Sequence, residues 1–306
     1  MTKYDPTDWN DEGRYVGPED EVSDHGPVEA AYLAAAAAFA DESGINQLAV
    51  RDPEVSTFVN FHLEAPIEGE GLIGLFAPDL SDYYDGAIVP LSVGLELIRV
   101  MLRANGAWCC LEVENRFLIH IGFDQYMYVG SALPCEKALR KVTELGLFAV
   151  RIERSPWDFD DDDGPARPAD PAFWAEFAGL VANRGTVLLQ ESQVRNRSRW
   201  HRVTAEDIEE VRLLLAPRSC LLVWPDLSTD PRSVLAEASK LDLFELIWQD
   251  KERRITNRVF QQPDPAQLPA DIQAASLYPP TEDDAHPLLA AVLPDPDGVL
   301  RARWLP

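Results

Sequence analysis

Two stretches of this chain, 92–153 and 204–249, run through the same order of residue types, and a repeated helix–strand unit leaves few ways to fold. Leu145-Gly146-Leu147-Phe148 stands against Leu241-Asp242-Leu243-Phe244. A helical pattern precedes each, at 134–145 and 230–241, and a strand-like run follows, Val150-Arg151-Ile152 and Leu246-Ile247-Trp248. Upstream, 95–103 matches 206–214 in type, and each leads into a short apolar strand holding Cys109 or Cys220. The offset between the copies shrinks along the chain by about the length of a hairpin expected at 116–130. Duplication with one hairpin inserted accounts for that. The expected fold is therefore α+β, with two related α/β halves of mixed or antiparallel sheets and packed helices, and a possible internal duplication.

The chain of 306 residues has room for two ordinary domains. Residues 1–27 read as an extended acidic arm rich in turn formers, with Trp9 and Tyr15 available to pin it. The first α+β domain spans 28–154. It opens on an alanine-rich helix at 28–42, since alanine has the best helix propensity. Strands are expected at 57–64 and 71–76, then a helix from Ser92 to Asn105-Gly106. Three strands follow at 108–113, 116–121 and 125–129, joined by short polar turns that suit hairpins. Pro134 opens another helix, and a strand at 147–153 closes the domain. Residues 155–170 carry Asp158, Asp160, Asp161, Asp162 and Asp163 among prolines. Like charges in such a run repel one another and resist burial, which marks an interdomain linker. The second α/β domain covers 171–262, with helices at 171–183, 205–215 and 231–241 and strands at 186–191, 220–224, 244–249 and 255–260. A Pro-rich segment, 263–306, carries a short helix near 283–291 and packs back.

Charge narrows the function classes. With 52 acidic and 27 basic side chains the formal charge is −25. Such a surface repels nucleic-acid backbones and anionic membranes and steers basic partners toward it. A hydrophobic content of 46% excludes global disorder. Asp5, Asp8, Asp11 and Glu12 stand where a secretory leader would be basic and apolar. No apolar run approaches the ~20 residues that span a bilayer, so a cytoplasmic protein is expected. Cys109, Cys110, Cys135 and Cys220 show neither zinc-ligand nor disulfide-framework spacing.

No catalytic or cofactor signature stands out. Gly69-Glu70-Gly71-Leu72-Ile73-Gly74 has the letters of a dinucleotide-binding turn, but no helix follows to meet a pyrophosphate. Five scattered histidines form no metal-ligand pair, so neither metal nor cofactor is expected. His120, with Asp124 and Tyr126 brought close by a hairpin, is the best acid–base group and the basis of a weaker hydrolase or transferase reading. Arg195, Arg197 and Arg199, with Trp200, form a basic patch at 195–202. A second lies at 251–258 and includes Arg254. These are the residues of an alternative reading as an RNA- or nucleotide-binding regulator. The leading expectation is a non-enzymatic interaction protein with a basic protein partner. In concrete form it is an inhibitor or immunity protein that occludes a nuclease toxin. Asp158, Asp160, Asp161, Asp162 and Asp163, with the hairpin aromatics Tyr126 and Tyr128, would contact the partner.

Overall fold

Period-two alternation along each strand decides which face is buried, and it builds a different stack in each of two units. A computed structural model describes residues 1–17, 26–59, 71–77, 80–122, 126–153, 166–241, 243–261, 271–278 and 286–302. The first unit comprises Met1–Gly164 with Val194–Asn196; the second comprises Pro165–Gln193 with Arg197–Pro306. The fold is α+β, with three sheets whose strand pairs are antiparallel.

The first unit runs α1 (Pro27–Glu42), β1 (Gln47–Val59), β2 (Ile88–Pro90), α2 (Leu91–Leu102), β3 (Asn105–Val113), β4 (Phe117–Ile121), β5 (Met127–Ser131) and α3 (Glu136–Glu144). Its five strands lie in the order β2-β1-β3-β4-β5. Val50, Leu111, Ile119 and Met127 point to one face and join a single core with Tyr32, Ala36, Leu97 and Val142 of the helices. The buried Glu29 of α1 accepts hydrogen bonds from Arg99 (3.1 Å) and Arg103 (2.9 Å) of α2 and pins the two helices together.

The second unit runs α4 (Pro171–Arg184), β6 (Val187–Val194), β7 (Arg197–Val203), α5 (Ile208–Leu214), β8 (Cys220–Pro225), α6 (Pro231–Ala238), β9 (Leu243–Gln249), β10 (Ile255–Gln261), β11 (Ala274–Tyr278) and β12 (Leu289–Val292). Its sheets are β12-β8-β6-β7 and β10-β9-β11. Val187, Leu189, Leu221 and Val223 bury one face of the four-stranded sheet against Phe173, Phe177 and Val181 of α4. On the opposite face Leu188, Trp200 and Trp224 meet Ile247 and Ala274 of the three-stranded sheet. Phe244, Leu246 and Phe260 then carry Ala238 of α6 on its far side. The result is four layers, helix, sheet, sheet, helix, with both faces of each sheet covered.

Several expectations are corrected. The strand expected at 71–76 is a pair of turns closed by an Ile73–Phe76 bridge. The Gly71 amide donates to the Asn105 carbonyl at 3.1 Å, and a Cβ there would stand 2.6 Å from that carbonyl, so the close approach requires glycine. Residues 147–153 form no strand beyond a bridge from Phe148 to Thr2, and Val150 and Ile152 are exposed. The first strand begins at Gln47, ahead of the expected 57–64; residues 60–64 lie outside the described ones. Asp52-Pro53 hides it, because Asp52 takes a φ of 46° and the register slips between Arg51 and Glu54, a bulge that admits proline within a strand. Of the helix expected near 283–291, residues 283–285 lie outside the described ones, and Leu289–Val292 forms β12, paired with β8. Residues 155–165 of the expected linker lie outside the described residues. The arm contains a 3-10 turn at Pro6–Asp8, and Tyr15 packs edge-on against Trp9 (5.7 Å) and Tyr4 (5.1 Å). Duplication is not confirmed. Where the second stretch ends in β9, the first has no strand, and β3 sits mid-sheet while β8 and β9 belong to separate sheets.

The layering predicts a contrast. Phe177→Ala empties the α4 side of the second unit's core and is expected to cost about 3–5 kcal/mol. Val150→Ser, at a position outside any sheet, is expected to stay within about 0.5 kcal/mol. Urea denaturation of both variants checks this.

Candidate functional site

The face of the five-stranded sheet turned away from the helices carries a row of polar side chains set by strand register. Arg51 on β1 pairs with Cys110 on β3, and His120 on β4 pairs with Tyr128 on β5. Cys110 Sγ lies 2.8 Å from His120 Nδ1, which closes the row Arg51–Cys110–His120–Tyr128. The ring of Tyr128 stacks on His120 at 6.4 Å, and Trp108 meets it edge-on at 6.3 Å. At the β1 end, the buried Arg51 makes ion pairs with Asp85 (2.7 Å) and Glu112 (2.9 Å). Asp85 also accepts from the Asp52 amide at 2.9 Å.

The chemistry of this row follows from its burial. His120 is nearly inaccessible, and loss of solvation pushes its pKa down to about 4. At neutral pH the imidazole is uncharged, and its Nδ1 shares a hydrogen bond with the Cys110 sulfur. Two carboxylates around one guanidinium leave net negative charge at the Arg51 end of the row. Catalytic bases work best with a pKa near the operating pH, and this imidazole is far below it. The partner of His120 is thus Cys110. Tyr126 packs instead against Tyr4 at 6.2 Å, and Asp124 lies outside the described residues. One sequence signal pointed to Cys110: it and His120 are equidistant from Asn115, whose φ of 57° turns the β3–β4 hairpin.

The basic patches divide. Arg195 belongs to the first unit, where its Nε donates to Asp52 at 2.7 Å and its amide donates to the Pro53 carbonyl at 2.8 Å. Arg197 and Arg199 are both exposed on β7 in the second unit, as period two requires. Arg199 donates to Gln193 at 3.3 Å. Trp200 is 9% exposed and stacks on Tyr278 (6.1 Å), which stacks in turn on Trp224 (4.4 Å). A nucleobase could take that place only by displacing Tyr278. Arg254 is paired with Asp250 (2.8 Å) and Glu252 (3.5 Å).

The second unit also holds a buried acid that no sequence pattern marks. Glu191 on β6 accepts from His201 Nε2 (2.9 Å), the Ala216 amide (2.7 Å) and Ser219 Oγ (3.3 Å). Burial raises its pKa, but the hydrogen bonds from His201 and Ala216 outweigh that and hold the carboxyl below the usual range. It closes the start of β8 against the chain after α5.

Of the residues expected to contact a partner, Tyr126 and Tyr128 are half-buried, and Asp158, Asp160, Asp161, Asp162 and Asp163 lie outside the described residues. Among the described residues no three His, Cys, Asp or Glu side chains converge as a metal site, and no helix is long and apolar enough to cross a membrane. No protein-family model, no curated protein and no solved structure matches the chain.

The buried imidazole makes stability depend on pH. Between pH 4 and 6.5 the unfolded histidine binds a proton that native His120 refuses. Stability from this source is therefore full above 6.5 and falls as pH drops toward 4, by roughly 3 kcal/mol in all. Denaturation of wild type and His120→Gln from pH 4.5 to 7.5 is expected to show a shallower slope in the variant.

Proposed function

We propose that this chain is a non-enzymatic interaction protein whose acidic surface binds a basic protein partner. Its concrete form is an inhibitor or immunity protein that occludes a nuclease toxin. One observation carries the reading: about half of the described cations are engaged by the protein's own carboxylates. Arg195, Arg202, Arg218, Arg254 and Arg301 each contact an aspartate within 2.8 Å. Pairing cancels charge in equal amounts, so the excess of −25 is left on the carboxylates that have no cation. A surface of one sign accelerates the approach of an opposite one and excludes nucleic-acid backbones. The aspartates of 158–163 and the aromatics Tyr126 and Tyr128 would engage arginines and lysines of the partner. The buried His120, uncharged at neutral pH, argues for a binding scaffold above an active site.

A nuclease-treated lysate passed over the immobilised protein is expected to yield a basic protein that elutes with salt. Changing Asp158, Asp160, Asp161, Asp162 and Asp163 to Asn is expected to weaken that complex at least about tenfold and to flatten its salt dependence. Unchanged affinity and salt dependence in this variant would sink the assignment to 158–163. RNA retarded at low salt, and released by Arg197→Ala/Arg199→Ala, would favour the nucleic-acid alternative, since those two arginines stand exposed side by side on β7.

A further inference from the structure

Helix α5 of the second unit buries Val211, with Ile208 and Leu215 packed beside it, against the α4 core. Leu213 is 86% exposed, more than any other large apolar side chain described, and Leu214 beside it is 61% exposed. Glu209 and Glu210, both exposed, stand one turn before them. At i,i+4 spacing each glutamate lies alongside its leucine on the helix surface. The exposed Glu206 extends the acidic flank toward the helix start. Arg212 turns aside, its guanidinium 5.2 Å from the Trp174 ring. Two neighbouring leucines in water have no stabilising role in the fold, because the helix is already anchored by Val211.

We infer that this ridge is a docking surface for a basic protein partner, one presenting an apolar side chain flanked by lysine or arginine. The inference rests on the reading of the chain as an acidic partner-binding protein and names a place where binding occurs. Charge complementarity fixes the occupant. A second copy would bring Glu206, Glu209 and Glu210 against the same residues, within a pair of chains each carrying −25. A basic partner neutralises those carboxylates while it covers the leucines. The leucines supply the water-excluding centre and the glutamates a polar rim, the usual anatomy of an interface.

The test uses the full chain and two synthetic helical peptides of equal charge, one of leucine and lysine and one of serine and lysine, read by fluorescence anisotropy and by amide shifts. The leucine–lysine peptide is expected to bind at least tenfold more tightly, with shifts concentrated at 205–215. Leu213→Ser/Leu214→Ser, at exposed positions that leave the charge intact, is expected to remove that advantage; circular dichroism checks its fold. Equal binding of both peptides, unaffected by the leucine variant, overturns the ridge but leaves the acidic reading standing. No binding of either peptide at low salt overturns both. A concentration-dependent dimer abolished by the leucine variant, seen by sedimentation, would make the occupant a second copy and overturn the basic partner.

Discussion

Electrostatic self-repulsion is the constraint on which the rest of this structure depends. A chain with 52 acidic and 27 basic side chains gains little from cations scattered on its surface. Several of the described cations stand instead where carboxylates would otherwise crowd. Arg99 and Arg103 meet at Glu29 between two helices, and Arg51 sits between Asp85 and Glu112 at the sheet. Arg218 and Arg301 both bind Asp295 near β12. Arginine suits these places because its planar fork serves two acceptors at once. Such pairs tie together elements that the hydrophobic core alone would leave adjacent but unregistered.

The same arithmetic shapes the chemistry of the polar row. Asp85 and Glu112 offset the charge of Arg51, and burial disfavours the protonated form of His120. A cysteine and a neutral histidine 2.8 Å apart thus share a hydrogen bond on the sheet face. Proximity of reactive residue types is not sufficient for catalysis; the surrounding charge decides which protonation states exist.

Much of the fold was legible because long apolar periodicities survive local noise. Helices α1, α2, α4 and α6, and strands β8, β9 and β10, lie within a few residues of where the pattern puts them. The misses have separate causes. Asp52-Pro53 reads as a strand breaker, yet the chain absorbs it in a bulge. Val150 and Ile152 have strand-forming side chains but no neighbouring strand to pair with, and local propensity cannot supply one. The repeat in residue types does not fix strand pairing, because helix–strand units of similar length share residue types whatever their pairing, and pairing is a long-range property. For the site, alternation puts Arg197 and Arg199 on one face of β7, while Arg195, expected beside them, precedes the strand and belongs to the first unit. The ion-pair partners of Arg195 and Arg254, the burial of Trp200 and the Cys110–His120 contact depend on what lies across a sheet or beyond a turn.

Charge alone makes a poor recognition code, since any strongly basic protein satisfies it. Rim charges mostly set association rate, and salt screens them within a Debye length. Selectivity requires a contact that only a shaped and desolvated partner can make. On α5 that contact is available in Leu213 and Leu214, whose exposure the fold itself does not need. The flanking glutamates raise the cost of covering those leucines with anything that is not cationic, because their carboxylates would lose water without gaining a counter-charge. An acidic surface gathers basic proteins; an apolar pair fenced by carboxylates would choose among them.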